Sequence, residues 1–357
     1  MFIIWYNLHM EIKEEEPRLQ KITFSNICSV PDWMPEDKKE FRKNTNILFE
    51  KIISCVSLFK DKEVAISYFQ EGVGSVVAKV TLPDSKAYVI KTTETPNRTV
   101  AEIKAYKAMS ENGIKVPEVY TEGIVDEHPF LVMEYFDQGT LKDKLKEGEI
   151  SVKEIGGIKS EVFVNLQQIP GRGYGWPVGY DGNVLTGNFS DIDSFMDGWF
   201  CEEEMLEMAK KHEPTVAWDE ELKRRSDVVR KENPDNVSHL GSFDFQTGHF
   251  FATEPPTFFD GNPRLEPKYF DLAYLLTPSV DATDDDFEIN KIIVKKFETG
   301  IGLIDKGKLF NALWLQTFRK ATNLLLRPNE KRTRRGLHML KVLSDSDVLE
   351  KHLEKYF

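Results

Sequence analysis

Gly241-Ser-Phe-Asp-Phe-Gln-Thr-Gly-His-Phe-Phe251 places one carboxylate, Asp244, and one imidazole, His249, among four phenylalanines. A lone loop aspartate is usually a turn former, and a lone histidine between large apolar residues usually packs. The next segment changes the balance. Phe258-Phe-Asp260-Gly-Asn-Pro263 brings a second aspartate sixteen positions after Asp244, in a strong turn sequence. Glu266-Pro-Lys-Tyr-Phe-Asp271-Leu-Ala-Tyr-Leu-Leu276 then adds a third carboxylate at the head of an apolar run. We assign Asp271 to structure, as a residue that bonds the backbone of the loop before it.

Upstream, the pattern has period two. VAISYF (64–69), SVVAKVTL (75–82), AYVIKTT (87–93) and FLVMEY (130–135) read as strands, interrupted by one helix from Arg98 to Glu111. Downstream of Gly139 the pattern turns helical, over 154–168, 190–211, 219–232, 287–299, 308–326 and 334–356, with Asp244–Ala252 as a short β-rich interruption. The expected organisation is α+β: an N-terminal extension over 1–62, a small β-rich lobe over 63–136, and a larger, mostly helical lobe over 137–357.

The β-rich lobe carries chemistry of its own. Phe69-Gln-Glu-Gly72-Val-Gly74-Ser75 is a glycine turn between two strands, able to cradle phosphate through backbone N–H groups. Glycine turns are common, so this part says little alone. Lys91 ends the strand Ala87-Tyr-Val-Ile-Lys91, and Glu102 lies on the following helix. In that order, glycine turn, strand lysine and helix glutamate are the parts with which protein-kinase-like folds hold ATP phosphates. Asp244, His249 and Asp260 then follow the layout of a kinase catalytic loop and metal-binding loop.

The 357-residue chain has 47 basic against 59 acidic residues, a formal net charge of −12, which disfavours nucleic acid and membrane surfaces as partners. Cys28, Cys55 and Cys201 lie far apart without CxxC spacing, so neither a disulfide framework nor a zinc cluster is indicated. The opening MFIIWYNLHM has too short an apolar run for a signal peptide or a membrane span. A cytoplasmic, monomeric protein is the expectation.

These motifs resemble the aminoglycoside phosphotransferase family, with its fructosamine-kinase-like and choline-kinase-like relatives, over roughly Ser67 to Pro278. Ser242-Phe243-Asp244 matches the family's His-Gly-Asp, and Gly248-His249 its Gly-Asn; Phe259-Asp260-Gly261 matches Ile-Asp-Trp. Val132-Met-Glu134-Tyr-Phe136-Asp-Gln-Gly139 looks like the hinge, and Gln167 stands where the family commonly has histidine. The resemblance implies a protein-kinase-like two-lobe fold and transfer of the γ-phosphate of ATP to a hydroxyl of an aminoglycoside, a sugar or ketosamine, or an amino alcohol. By the same resemblance, Asp244 is the catalytic base; Gly72, Gly74, Ser75, Lys91 paired with Glu102, Glu134 and Phe136 bind nucleotide; and Asp260 with His249 holds Mg²⁺. Imidazole in place of asparagine favours Mn²⁺ over Mg²⁺ relative to the family. Ser242 and His249 together leave open a second class, a pseudokinase that binds nucleotide or metabolite as a regulatory module. A cationic acceptor is one expectation, since Asp191, Asp193, Glu202, Glu203 and Glu204 are acidic; a solvated helix face explains such a run equally well. Protein acceptors are disfavoured, because the segment from Asp260 to Glu266 is too short for an activation loop.

Overall fold

In Val64-Ala-Ile-Ser-Tyr68 the apolar side chains alternate, so pleating puts Val64, Ile66 and Tyr68 on one buried face. This strand, β2, lies within a six-stranded sheet in the computed structural model, which describes residues 21–30, 34, 36–70, 75–93, 95–200, 203–326 and 329–357. The other strands are β1 (Ile22–Phe24), β3 (Val76–Thr81), β4 (Ala87–Thr92), β5 (Val119–Val125) and β6 (His128–Glu134), in the order β1-β2-β3-β4-β6-β5. β1 pairs parallel with β2, while β2–β3 and β3–β4 are antiparallel.

Packing divides the chain into two units: residues up to Glu94 with Gly123–Val132, and Thr95–Glu122 with Met133–Phe357. In the first unit, helices α1 (Glu36–Lys43) and α2 (Thr45–Cys55) precede the main sheet strands. The Leu48, Phe49, Ile52 and Ile53 stripe of α2 is buried with Val64, Ile66, Val80 and Ile90 in one core. Phe49 meets Tyr68 edge-on at 5.2 Å. The segment expected as an extension therefore supplies part of this core. Buried Arg42 ties the same segment to the strands, donating to the carbonyls of Ser29 (2.9 Å) and Ser75 (3.0 Å).

The second unit opens with helix α3 (Pro96–Glu111), followed by α4 (Leu141–Lys146) and α5 (Val152–Gln168). Ser151 and Glu154 form a capping box at the start of α5. Two long helical expectations break. The 190–211 stretch is α6 (Ile192–Phe200) and α7 (Glu203–His212), followed by α8 (Trp218–Glu232). After α9 (Phe270–Leu275), α10 (Asp284–Gly300) and α11 (Lys306–Leu326), the 334–356 stretch is α12 (Glu330–Leu343) and α13 (Ser346–Glu354). The cause of this second break is Asp345, whose carboxylate accepts the N–H of Asp347 and caps a new helix. The core of this unit gathers around α11, where Trp314 stacks on Phe318 and Trp218 packs tilted against both.

Residues 170–189 carry β structure that the helical reading of this region did not anticipate. β7 (Pro170–Arg172), β8 (Tyr174–Tyr180) and β9 (Leu185–Phe189) join β10 (Val237–Ser242) and β13 (Pro263–Glu266) in a closed five-stranded sheet. The strands are short and rich in glycine and proline, which reads as loop in sequence. Here glycine permits close approach: a Cβ on Gly187 would sit 2.3 Å from the Tyr174 carbonyl oxygen. A two-stranded ribbon, β11 (Phe250–Phe251) with β12 (Thr257–Phe258), lies between β10 and β13 in sequence. No described helix is long and apolar enough to cross a membrane.

Because backbone atoms, not a flexible side chain, fill the space at Gly187, we expect Gly187→Ala to destabilise the second unit by about 2–3 kcal/mol. Urea unfolding followed by tryptophan fluorescence reads this as a lower midpoint; an unchanged midpoint would show that the β8–β9 pair is not as close as described.

Candidate functional site

The aromatics around Asp244 are anchors. Phe243 and Phe245 are both buried, and Phe245 packs edge-on against Phe163, Phe250 and Phe258 at 5.6, 5.4 and 5.3 Å. Phe243 meets Tyr274 at 4.6 Å. With both neighbours pinned in the core, Asp244 between them stays partly exposed, its side chain 36% accessible. The opening stretch is thus both things at once: a core-anchored segment that presents one carboxylate.

That segment is zipped to the loop after β12. Ser242 Oγ donates to the Gly261 carbonyl at 2.5 Å, the Asp244 N–H donates to the same oxygen at 3.2 Å, and the Phe243 N–H donates to the Asn262 carbonyl at 3.4 Å. Gly261 has no room for more than hydrogen: a Cβ would lie 2.4 Å from Phe258 Cζ. Asp260 and Asn262 on either side adopt left-handed φ of 50° and 49°, a conformation that Asp and Asn tolerate better than most residues. From beneath, the buried Asp271 carboxylate accepts the Ser242 N–H at 3.0 Å and Gln167 Nε2 at 3.2 Å. This is the structural role expected of Asp271. Burial, then the charge of Glu266, pushes its carboxyl well above the usual range.

Asp244 also binds its proton more tightly than an ordinary aspartate. Burial is the main cause; His249 opposes it and the charge of Asp260 adds to it. Gln246 Nε2 donates to Asp244 Oδ1 at 2.6 Å. His249 Nδ1 lies 2.7 Å from the Asp244 carbonyl oxygen. A carbonyl only accepts, so Nδ1 carries the hydrogen, and in the neutral ring Nε2 keeps the lone pair that can ligate a metal. Asp260 is oriented from α3: its N–H donates to Tyr106 Oη at 3.0 Å, and the Tyr106 hydroxyl donates to Glu102 Oε1 at 2.9 Å. Burial, with Glu102 second, raises Tyr106 well above its ordinary value, so the hydroxyl stays protonated and the relay stays intact.

The second unit thus brings Glu102, Asp244, His249 and Asp260 into one bonded neighbourhood. Phe136 approaches it through a run of rings, packing on Phe251 at 4.7 Å, with Phe251 stacked on Phe259 at 4.0 Å and Phe259 beside His249 at 5.7 Å. Glu134 Oε2 accepts the Glu118 N–H at 3.3 Å. Lys91, 2% exposed on β4, and Ser75 belong to the first unit. Gly72 and Gly74 lie outside the described residues, as do Glu202, Cys201 and the opening decapeptide. Of the acidic run, Asp191 accepts the Ser194 N–H, and Asp193 pairs with Arg230. These interactions fit a solvated helix face. Among the described residues no group of three or more His, Cys, Asp or Glu side chains is placed to hold a metal.

Sequence reasoning missed Tyr106, although it had a readable signal, four residues after Glu102 on one helix face.

No protein-family model and no curated protein matches the sequence. Solved structures do resemble it. A thermostable variant of the aminoglycoside phosphotransferase APH(4)-Ia, in ternary complex with ADP and hygromycin B, superposes with a TM-score of 0.60 at 14% identity, covering 84% of this chain and 97% of that one. The same enzyme with AMP-PNP and hygromycin B gives 0.58 at 14% identity, covering 84% and 98%. The GDP complex of an aminoglycoside 2'-phosphotransferase-IIIa mutant gives 0.50 at 12% identity, covering 83% and 96%. At such identities the likeness is one of fold, and the expected α+β, protein-kinase-like class is met.

Glu266 provides a pH test of the buried site. Burial, against the opposing charges of Arg319 and Arg264, raises its carboxyl to about 7, whereas the unfolded chain ionises near about 4.3. A raised carboxyl stabilises the fold below the unfolded value, and that contribution is lost as pH rises toward the folded value. The loss is up to about 4 kcal/mol between about pH 4.3 and about pH 7. Glu266→Gln stays neutral throughout. Its melting temperature, relative to wild type, should therefore climb across that window; a constant difference would mean that Glu266 is ionised in the folded protein throughout.

Proposed function

We propose that this chain is an ATP-dependent phosphotransferase that moves the γ-phosphate to a hydroxyl of a small molecule. The observation that carries the reading is the zip between 242–244 and 261–262, which sets Asp244 and Asp260 on adjacent loops within electrostatic reach of each other. The likeness to phosphotransferase folds in complex with ADP and AMP-PNP supports it.

In this reading Asp244 orients the acceptor hydroxyl and takes its proton. The acceptor oxygen bonds to the γ-phosphorus as the bond to the bridging oxygen of ADP breaks. A proton affinity raised by burial and by Asp260 suits a general base, which works best with a pKa nearer the working pH. Asp260, aimed by the Tyr106 relay, and His249 through Nε2 would hold Mg²⁺ or Mn²⁺, which neutralises phosphate charge when bound. Within the first unit, Lys91, Ser75, Gly72 and Gly74 are proposed as phosphate-binding residues; Glu102, in the second unit, is proposed as a nucleotide-binding residue. Glu134 and Phe136 are proposed to meet the base. We place the enzyme in the cytoplasm, on its widely spaced cysteines, and keep a monomer as the proposed state.

Asp244→Asn should lower turnover by about 10²–10⁴-fold while leaving nucleotide binding, read as a thermal shift with ATP and metal, nearly intact. Wild-type turnover in that variant would reject the assignment of the loop.

The metal preference probes His249. If its imidazole is a ligand, Mn²⁺ supports turnover at least as well as Mg²⁺, and His249→Asn shifts the ratio toward Mg²⁺ by about tenfold, or roughly 1.4 kcal/mol. An unchanged ratio would make His249 a packing residue only.

A further inference from the structure

Three hydrogen bonds close the stretch from Asp244 to His249 on itself. His249 Nδ1–H donates to the Asp244 carbonyl at 2.7 Å, the His249 N–H donates to the Gln246 carbonyl at 3.0 Å, and Gln246 Nε2 donates to Asp244 Oδ1 at 2.6 Å. The ring is pinned to the core through buried Phe245 and to the next loop through the Phe259 N–H, which donates to the His249 carbonyl at 3.0 Å. Its backbone is thus held by Phe245, by His249 and by main-chain bonds, and the Gln246 side chain adds nothing to that.

The Gln246 amide serves something else. Gln246 is exposed, while Phe245 beside it is buried. Water would satisfy an exposed amide nearly as well, so its bond to Asp244 contributes little net stability. What the bond does fix is the carboxylate. The terminal torsion of an aspartate is broad and roughly two-fold, so the two carboxylate oxygens ordinarily exchange places. An ionised carboxylate only accepts, so the amide presents its NH₂ end and holds Oδ1. The same oxygen lies 3.7 Å from His249 Nδ1. Both polar side chains of the ring therefore gather on Oδ1, which leaves Oδ2 as the oxygen for an incoming hydroxyl. A base that must meet a hydroxyl aligned with the γ-phosphorus tolerates little error, since a misplacement of about 1 Å costs about 10²-fold in rate.

We infer that Gln246 is the positioning residue of the proposed base: its amide pins Asp244 Oδ1 and assigns Oδ2 to receive the acceptor's proton. This rests on the phosphotransferase reading of Asp244. The hydroxyl proton passes to Oδ2 as the acceptor oxygen bonds to the γ-phosphorus; the bond to the bridging oxygen breaks and its electron pair leaves with ADP. Gln246 neither gives nor takes a proton in this step.

ADP release from ATP, with water as the acceptor and Mg²⁺ or Mn²⁺ present, tests it on the full chain in four forms: wild type, Gln246→Met, Asp244→Asn and the double variant. Methionine keeps the length of glutamine and removes the donor. Gln246→Met should lower kcat about 10–100-fold with KM for ATP unchanged within about twofold. In the Asp244→Asn background the same change should cost less than about twofold, because residues that act through one group are not additive. A side chain that merely supports the fold would cost the same in both backgrounds. Gln246→Glu, of equal length but without a donor when ionised, should fall at least as far as Gln246→Met, and it decides the matter if the methionine variant does not fold. Wild-type kcat in a folded Gln246 variant, a change in KM alone, or an equal loss in both backgrounds would overturn the inference. The other arms separate the levels. Asp244→Asn at wild-type turnover rejects the base itself, and wild-type protein that binds ATP without releasing ADP rejects the phosphotransferase reading, each taking the role of Gln246 with it; an impaired Asp244→Asn beside an unimpaired Gln246→Met rejects the role of Gln246 alone.

Discussion

The buried carboxylate of Asp271 is the point from which the candidate site is built. It accepts the Ser242 N–H at the end of β10, so the backbone there is committed, and Ser242 Oγ can then reach the Gly261 carbonyl. Three hydrogen bonds between 242–244 and 261–262 follow, and with them the placement of both aspartates. Gly241 and Gly261 are the steric conditions for this, since a Cβ on Gly241 would press on Asp271 at 2.9 Å and one on Gly261 on Phe258. A buried, doubly bonded carboxylate is worth little as net stability but is strongly position-specifying, because losing either partner strands a polar group away from water.

Electrostatics then separates the roles of similar residues. Asp271 and Glu266 are fully enclosed and favour their protonated forms mainly through burial. Asp244 is raised as well, but it stays partly accessible between two buried phenylalanines and senses both His249 and Asp260. Asp260 receives no such enclosure; it is aimed through its own N–H by a tyrosine whose hydroxyl is spent on Glu102. One fold thus holds two carboxyls as internal fasteners and presents two others, which is the division of labour that the proposed phosphoryl transfer requires.

Much of this was legible in sequence because it rests on local pattern. Period-two runs located β2, β3 and β4, whereas the anchoring of Asp244 between two buried phenylalanines was not read from the sequence. The place of α2 inside the first core was not legible, since an amphipathic stripe does not say which sheet it covers. β7, β8 and β9 were hidden because close backbone approach at Gly187 and left-handed turns at Gly173 and Gly175 demand glycine, and glycine-rich strands look like loops. The departures at Ser242 and His249 acquire physical meaning only in three dimensions: the serine fastens two loops, and the histidine is locked as the Nδ1–H tautomer by the Asp244 carbonyl.

The central claim is that the zipped loops hold Asp244 next to Asp260 in an enclosure that raises its proton affinity. Carboxyl-carbon NMR titration of Asp244 in the wild type and in Asp260→Asn tests this directly. The account predicts that Asp244 titrates above the ordinary aspartate value of about 3.9, and that it moves downward when the Asp260 charge is removed. A titration at or below the ordinary value, or one indifferent to Asp260→Asn, would contradict it.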